Sequence, residues 1–171
     1  KKFKKKKIIF LNNFKFRILE SYLNKKYGNK FNFFNEKKSL GTGGSLNFLK
    51  KIKCNTFIMI YGDIIFDFNF NKLLKFHRKN SADLTLVVHP NNHPYDSDIV
   101  STNKLNKVNN YFVKPHKEKV LGNLCLSGIF IFDQKILKEI KKNKKQDFTR
   151  GIIPKLIKKK YKIFAYNTRE Y

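Results

Sequence analysis

Short apolar runs alternate with amphipathic stretches in the first half of the chain, and this alternation constrains the fold most. The apolar runs have the length and composition of strands: 8–11, 31–34, 56–61 and 83–89. The stretches between them have apolar residues at helical spacing: 14–26, 45–52 and 70–79. Strands that alternate with helices in this way form βαβ units with right-handed crossovers. The first half therefore predicts a sheet covered by helices on both faces.

The second half has a different pattern. Three strand-like runs, 99–102, 107–113 and 124–132, follow one another without long helices, which predicts antiparallel additions to the sheet. Two helices and a last strand are predicted after them: 135–142, 148–159 and 162–167. Pro154 lies inside the second helix, where it marks either a kink or a helix start. There is no internal repeat or long linker, so residues 1–171 are predicted to form a single domain.

The strand at 56–61 is the predicted centre of the sheet. It is almost wholly apolar, which is typical of a strand buried on both faces, and it ends in Gly62-Asp63. Ligands of open α/β sheets bind at the carboxyl ends of the strands. The Asp63 carboxylate would suit Mg²⁺ held together with substrate phosphates. The alternative is an ordinary Gly-Asp turn.

The segment Leu40-Gly41-Thr42-Gly43-Gly44 is the second candidate site. Three glycines among five residues let a ligand approach the backbone closely. The N–H groups at the start of the helix predicted after Gly44 would form an anion site. The segment is not a Walker A loop, because no Gly-Lys-Ser/Thr follows it. A tight turn between strand and helix explains the same residues.

The formal net charge of +26 raises the alternative of a nucleic-acid-binding module. Only four of the 38 basic residues are Arg, and Lys, Asn, Phe and Ile are all abundant, as in an A/T-biased genome. The lysines are spread over nearly every segment, so no specific nucleic-acid partner is predicted. Cys54 and Cys125 are far apart and fit a reducing compartment. No apolar run has the length of a membrane span, and no signal peptide is recognised. These features predict a cytoplasmic protein.

The order of these features resembles the sugar-1-phosphate nucleotidyltransferases, the enzymes that make nucleotide sugars. The resemblance extends from about Ile8 to Tyr171. It includes Glu36 ahead of the glycine segment, Gly62-Asp63, Lys114-Pro115, and a helix that begins near Asp147-Phe148. It implies a Rossmann-like three-layer αβα sandwich with a mixed, mainly parallel sheet. It also implies attack of a sugar 1-phosphate on the α-phosphate of an NTP, with release of pyrophosphate and Mg²⁺ as cofactor.

The resemblance assigns roles to residues of this chain. Asp63 would bind Mg²⁺ and the nucleotide, and Lys114 would neutralise the attacking phosphate, which makes these two the catalytic candidates. The nucleotide-binding residues would be Glu36, Leu40, Gly41, Thr42, Gly43, Gly44, Gly62 and Asp63. The sugar-binding residues would be Asp98, Lys114, Ser127 and Gly128. The chain departs from the family pattern at Ser39, where Pro is usual, and at Val113, where Glu is usual.

Residues 89–98 together with Lys114-Pro115-His116 are similar to one branch, the heptose-1-phosphate guanylyltransferases. This branch favours GTP and a precursor of lipopolysaccharide or capsule sugars. Two family parts are missing: a glycine-rich signature loop ahead of Ile8 and a second metal-binding Asp past Tyr171. A chain truncated at both ends would be a poor catalyst. A non-catalytic homologue that binds nucleotide sugar remains an alternative, and the oligomeric state is open.

Overall fold

The computed structural model describes residues 7–67, 69–116 and 122–168, which form two β-sheets with helices on both faces. Tyr171, past which the second metal ligand was expected, lies outside these residues. In the described part of the chain, no helix is long and apolar enough to cross a bilayer.

A small parallel sheet comes first. Its strands are β1 (Ile9–Asn12) and β2 (Asn32–Asn35), which pair in parallel and are connected by helix α1 (Phe16–Tyr27). Gly28 caps the end of helix α1, and its N–H donates to the Asn24 carbonyl at 2.9 Å. The expected βαβ unit is therefore present at the start of the described chain.

The main sheet contains the other six strands. In chain order they are β3 (Thr56–Ile60), β4 (Leu84–Pro90), β5 (Ile99–Thr102), β6 (Val108–Phe112), β7 (Leu124–Asp133) and β8 (Ile163–Asn167). The strand order is β6-β5-β7-β4-β8, and β3 pairs with β7. Strand β4 pairs with one edge of β7, while β3 and β5 share the other edge at opposite ends. The three strands predicted in the second half are present, with the antiparallel pairing that was expected.

The mixed sheet is confirmed, with one difference in its pairing. Strands β3, β4, β5 and β8 run in one direction, while β6 and β7 run in the other. Most strands are therefore codirectional, as expected of a mainly parallel sheet. Among the described ladders of this sheet, however, only β4–β8 is parallel, because β7 lies between β4 and the pair β3 and β5.

Several of the predicted helices differ in type or length from their patterns. The glycine segment forms α2 (Gly41–Gly44), and 3-10 helices replace the predicted helices 45–52 and 135–142: Ser45–Lys51 and Gln134–Glu139. Helix α3 (Phe70–Lys79) matches its prediction. The helix predicted at 148–159 begins as a π-helical turn, Phe148–Ile152, and continues as α4 (Ile153–Lys158). Pro154 lies in the first turn of α4, so it marks a start, because that turn does not need its missing N–H.

The two faces of the main sheet bury separate apolar clusters. Successive side chains of β7 alternate between them, with Phe130 and Phe132 in the larger cluster and Ile129 and Ile131 in the smaller one. The larger cluster includes Phe148 and, from α4, Ile153 and Leu156, and the smaller one includes Leu73 of α3. The expected three-layer αβα arrangement follows from this alternation.

Candidate functional site

The carboxyl end of β3 presents the first predicted site residue to solvent. Asp63 follows the strand after Tyr61 and Gly62, and its side chain is exposed. The residue is not buried in the interior, where a carboxylate could not meet a ligand. Strand β3 ends at Ile60, one residue before its predicted end, and Asp63 is accessible at the edge of the sheet. The prediction that this strand lies at the centre of the sheet and is buried on both faces is wrong for the described residues, because β3 pairs only with β7 and only Phe57 in it is buried.

Tyr61 connects this strand end to the glycine segment. Burial raises the pKa of the Tyr61 phenol to about 12, opposed by a hydrogen bond with Thr42. The negative charges of Asp147, Asp98 and Asp63 raise the pKa further, so all three carboxylates lie near the phenol. Since Thr42 belongs to α2, the glycine segment and Asp63 lie at the same edge of the sheet.

The glycines of α2 are required by a neighbouring segment of the chain. A Cβ on Gly41 would lie 2.7 Å from the Gln146 carbonyl oxygen, and a Cβ on Gly44 would lie 2.5 Å from that of Lys144. Gly41 also has φ +72°, which disfavours any other residue. The N–H groups of Gly43 and Gly44 donate to the Gln146 carbonyl at 2.9 and 3.1 Å. These two amides are therefore already paired within the chain, because the Gln146 carbonyl accepts from both.

Glu36 forms a hydrogen bond with Leu40, the first residue of the glycine segment. It is 8% exposed, and its Oε2 accepts a hydrogen bond from the Leu40 N–H at 3.0 Å. Its second oxygen, Oε1, is buried and has no hydrogen-bond partner among the described residues. A buried carboxylate oxygen of this kind carries a desolvation cost until a donor reaches it. Glu36 thus combines a structural role with an open acceptor.

Asp98 and Lys114 meet in a second group of residues. The Asp98 carboxylate accepts from the Lys114 N–H at 3.0 Å and from the Tyr111 hydroxyl at 3.3 Å. The Lys114 ammonium donates to the Asp96 carbonyl at 2.6 Å, and His116 Nε2 lies 2.9 Å from the Ser97 carbonyl. The Lys114–Pro115 peptide bond is cis. Segments 96–98 and 114–116 are therefore in direct contact. The sequence analysis grouped them by their likeness to the same branch of the family.

Ser127 and Gly128 are neighbouring residues of β7, and Gly128 lies against Tyr61. The Ser127 hydroxyl donates to the Val87 carbonyl at 3.1 Å, which is a contact within the sheet. Gly128 has φ +81°, and a Cβ there would lie 3.2 Å from the Tyr61 ring. Gly128 is thus needed for the position of Tyr61, and no contact in the structure ties Ser127 to a ligand.

Three side chains near the predicted site had no predicted role in binding. Tyr61, Tyr111 and Asp147 lie among the predicted residues, and burial raises the pKa of Tyr111 as it does that of Tyr61. Asp147 also caps the turn after it, since its carboxylate accepts from the Arg150 N–H at 2.7 Å. A tyrosine directly before Gly62-Asp63, at the end of an apolar run, was the available signal for Tyr61.

The residues present can supply part of a magnesium site. Among the described residues, no group of three or more His, Cys, Asp or Glu side chains is arranged to hold a metal. Mg²⁺ commonly keeps several waters and binds one or two carboxylates together with substrate phosphates. The exposed carboxylate of Asp63 fits that mode of binding, in which the nucleotide supplies the other ligands.

Comparison with known proteins identifies the family. Residues 2–171 match the family model described as nucleotidyl transferase. The chain is 33% identical over 122 residues to a glucose-1-phosphate adenylyltransferase of Clostridium acetobutylicum, a match that covers 67% of this chain and 32% of that protein. It is 30% identical over 139 residues to a mannose-1-phosphate guanyltransferase of Yarrowia lipolytica, covering 77% of this chain and 38% of that protein.

Solved structures agree on the fold. The chain superposes on HddC from Yersinia pseudotuberculosis, complexed with GMP-PN, with a TM-score of 0.77 and 22% identity, covering 96% of this chain and 70% of that one. A putative glucose-1-phosphate thymidylyltransferase from Bacillus anthracis gives a TM-score of 0.71 at 16% identity, covering 91% and 64%. The chain spans about a third of the curated relatives' length, from 32% to 41% in the first three. On these matches, the chain belongs to the sugar-1-phosphate nucleotidyltransferase family.

Proposed function

We propose that the protein joins an NTP to a sugar 1-phosphate and releases pyrophosphate. The main support is the contact of Tyr61 with Thr42, which brings the glycine segment and the exposed Asp63 to one edge of the sheet. Nucleotidyl transfer needs alignment and charge neutralisation more than covalent help. Asp63 and Lys114 are the proposed catalytic residues, and the residues from Leu40 to Gly44, with Gly62, are the proposed nucleotide contacts.

Mg²⁺ is the proposed cofactor, with Asp63 as its protein ligand. When bound, the ion would neutralise charge on the phosphates during transfer. The chain's own contribution is to present the Asp63 carboxylate to solvent at the end of a rigid strand. The Tyr61 phenol, with its pKa of about 12, stays protonated at neutral pH and does not add another negative charge beside Asp63.

GTP is the proposed nucleotide, and Glu36 is the proposed base-reading residue. The base edge of guanine presents N1–H and N2–H₂ as donors, whereas adenine presents an acceptor at N1. The buried Oε1 of Glu36, next to the glycine segment, is an acceptor without a partner among the described residues. A carboxylate at this place would favour guanine, in keeping with the guanyltransferase among the relatives.

The sugar side is proposed to lie around Asp98 and Lys114. Lys114 is held beside Asp98 through its own N–H, and its ammonium is within reach of the 96–98 segment. Gly128 and Ser127 would form the floor of this region. The narrower proposal is a heptose or a related surface-sugar precursor for lipopolysaccharide or capsule, made in the cytoplasm. It rests on the likeness of residues 89–98 and 114–116 to the guanylyltransferase branch.

The test measures pyrophosphate release by the product of the complete coding sequence. Each NTP is paired with mannose, glucose and heptose 1-phosphates in the presence of Mg²⁺. Release with GTP is expected, and Asp63→Asn should lower kcat/KM by about 10²–10³-fold. Asp67→Asn, an exposed carboxylate nearby in sequence, is the matched control. Nucleotide binding without turnover would instead favour the non-catalytic alternative.

The base preference is tested separately with Glu36→Gln. The glutamine can still accept from Leu40 N–H, but it replaces the free acceptor oxygen with an NH₂ donor. The affinity for GTP should fall at least about tenfold, with little change for ATP. If GTP and ATP lose affinity equally, Glu36 does not read the base, although the reaction class would stand.

A further inference from the structure

We propose that Tyr111 is a positioning residue on the sugar side of the site: its hydroxyl fixes the Asp98 carboxylate and, through Asp98, the backbone of Lys114. The inference rests on the function proposed above and extends it to a residue that contacts neither substrate in that proposal. Removing this hydroxyl should weaken binding of the sugar 1-phosphate and leave binding of the nucleotide unchanged.

The Tyr111 ring is held by the sheet and by the core. In the ladder between β5 and β6, Tyr111 pairs with Val100 and Phe112 pairs with Ile99. The partly buried Tyr111 ring packs against the larger apolar cluster. A ring that is fixed by a strand and by core packing has few rotamers open to it. The fold therefore sets the place of the hydroxyl at its end.

The Tyr111 hydroxyl is the donor in its contact with Asp98. It lies 3.3 Å from Asp98 Oδ2, and an ionised carboxylate only accepts. Burial first, and then the charge of Asp98, raises the pKa of Tyr111, so the phenol keeps its proton at neutral pH. A hydrogen bond to a charged group is stronger than one between neutral groups. The distance is long for such a bond, and contacts of this kind commonly tighten when the ligand binds.

Asp98 is fixed at both of its carboxylate oxygens. Oδ1 accepts from the Lys114 N–H at 3.0 Å, while Oδ2 accepts from Tyr111. The Asp98 carbonyl also accepts from the Leu126 N–H at 3.1 Å, which ties its backbone to β7. A carboxylate has about four acceptor positions, so about two stay open for the hydroxyls of a sugar. The two donors set the plane of the carboxylate and hence the direction of those open positions.

Tyr111 lies where the two halves of the site approach each other. Thr149 and Tyr61 both influence the pKa of the Tyr111 phenol, so both lie close to it. Thr149 belongs to the nucleotide side, because its hydroxyl donates to Asp147 at 3.1 Å. Since the Tyr111 proton goes to Asp98, the effect of removing it should fall on the sugar side.

Steady-state kinetics of Tyr111→Phe test the role in binding. The product of the complete coding sequence is used, with the NTP and sugar 1-phosphate that support its turnover. The KM for the sugar 1-phosphate should rise about tenfold or more, while the KM for the NTP should change less than about twofold. An unchanged KM for the sugar 1-phosphate would overturn the proposal, as would equal rises in both KM values.

Tyr161→Phe is the matched control for a loss of stability. The Tyr161 hydroxyl donates to the Glu139 carboxylate at 3.0 Å, a pair of the same kind outside the candidate site. This variant should leave both KM values unchanged. If it raised the KM for the sugar 1-phosphate as much as Tyr111→Phe does, loss of a phenol–carboxylate bond anywhere would explain the effect and the proposal would fail.

A double-mutant cycle tests whether Tyr111 acts through Asp98. In an Asp98→Asn background, Tyr111→Phe should raise the KM for the sugar 1-phosphate by less than about twofold more, because the carboxylate that it positions is already gone. The full tenfold rise in that background would show that Tyr111 acts independently of Asp98, contrary to the proposal.

Amide hydrogen exchange tests the positioning without turnover. In Tyr111→Phe, the Lys114 amide should exchange about tenfold faster or more, because its acceptor is free to rotate. The Leu126 amide, which donates to the Asp98 carbonyl, should be unchanged. Unchanged exchange at Lys114 would overturn the positioning role whatever the kinetics. Faster exchange at Lys114 in a protein that never turns over would support this role and count against the proposed reaction alone.

Discussion

The Phe148 N–H donates to the hydroxyl of Thr42 at 2.9 Å, across 106 residues of sequence. This bond joins the glycine segment, in the first half of the chain, to the π-helical turn that follows Asp147. Thr42 also lies close enough to the Tyr61 phenol to influence its pKa, so one side chain connects three segments at the candidate site. The position of the glycine segment therefore depends on a residue that is not a glycine.

Replacing Thr42 tests this connection. Thr42→Val keeps the shape of the side chain but leaves the Phe148 N–H without its acceptor. An unsatisfied buried donor costs about 1–3 kcal/mol, so the free energy of unfolding in urea should fall by that amount. Thr42→Ser keeps the hydroxyl and is the control. Equal losses for the two variants would mean that the hydrogen bond to the Phe148 N–H contributes no more than the packing of the Thr42 methyl group.

The glycine positions should differ sharply in their tolerance of alanine. Gly44→Ala places a Cβ 2.5 Å from the Lys144 carbonyl oxygen, and backbone on both sides must move. Overpacking of this kind costs about 1–3 kcal/mol in the free energy of unfolding. Gly151→Ala meets nothing within 4 Å and should be neutral or slightly stabilising. Urea midpoints of the two variants check the difference, and a neutral Gly44→Ala would contradict the close approach of segment 144–148.

Glu139 should make stability depend on acid pH. Lys155 and then Lys159, whose ammonium groups lie 2.8 and 2.9 Å from it, lower the pKa of the Glu139 carboxyl to about 2. An unfolded Glu titrates near 4.3, so this contribution is full above that pH and is lost as the pH falls toward 2. At pH 7, Glu139→Gln should cost about 1–2 kcal/mol, because the buried carboxylate loses its charge while solvent screens the exposed Lys159.

The pH series separates this effect from a loss of packing. The difference in unfolding free energy between the parent chain and Glu139→Gln should be constant from pH 6 to 8 and should shrink below about pH 4. Asp67→Asn, at an exposed carboxylate, should have little effect at any pH. A difference that persists unchanged at pH 3 would mean that the carboxylate charge is not the source of the stability.

Tyr61 should titrate late among the eight tyrosines. Burial and three nearby carboxylates raise its pKa to about 12, and burial also raises that of Tyr111. An ultraviolet titration of the folded protein should therefore leave these two phenols protonated at pH 11. Tyr61→Phe should remove one late-titrating phenol and leave the early part of the curve unchanged. If Tyr61→Phe instead removed a phenol that titrates early, the Tyr61 side chain would be exposed to solvent and the prediction would be wrong.

Much of the fold followed from local patterns. The helix at 70–79 and the strand at 99–102 have the predicted bounds, because hydrophobic period and β-branched content report local geometry directly. The 3-10 and π-helical segments were predicted as ordinary helices. Their backbone is set by packing against distant segments, such as the contact of Thr42 with Phe148, which sequence periodicity does not encode.

Only part of the candidate site, likewise, could be predicted from the sequence. The strand ending in Gly62-Asp63 and the glycine segment were recognisable from composition and order, and the family followed from their succession. The sequence did not predict that Gln146 would take the amides of Gly43 and Gly44, or that Tyr61 would connect Thr42 to three carboxylates. The Gln146 carbonyl lies more than 100 positions along the chain from Gly43 and Gly44, so only the packed chain determines that pairing.

By itself, the sequence determined the elements, the family and the residues that reach the end of the sheet, because each depends on local pattern or on chain order. The tertiary structure alone decided which backbone groups are already paired and which remain open. It left one oxygen of Glu36 and one edge each of β1 and β3 without partners among the described residues. Hydrogen bonds in a fold form between whichever segments the core brings together, and no local pattern specifies that pairing.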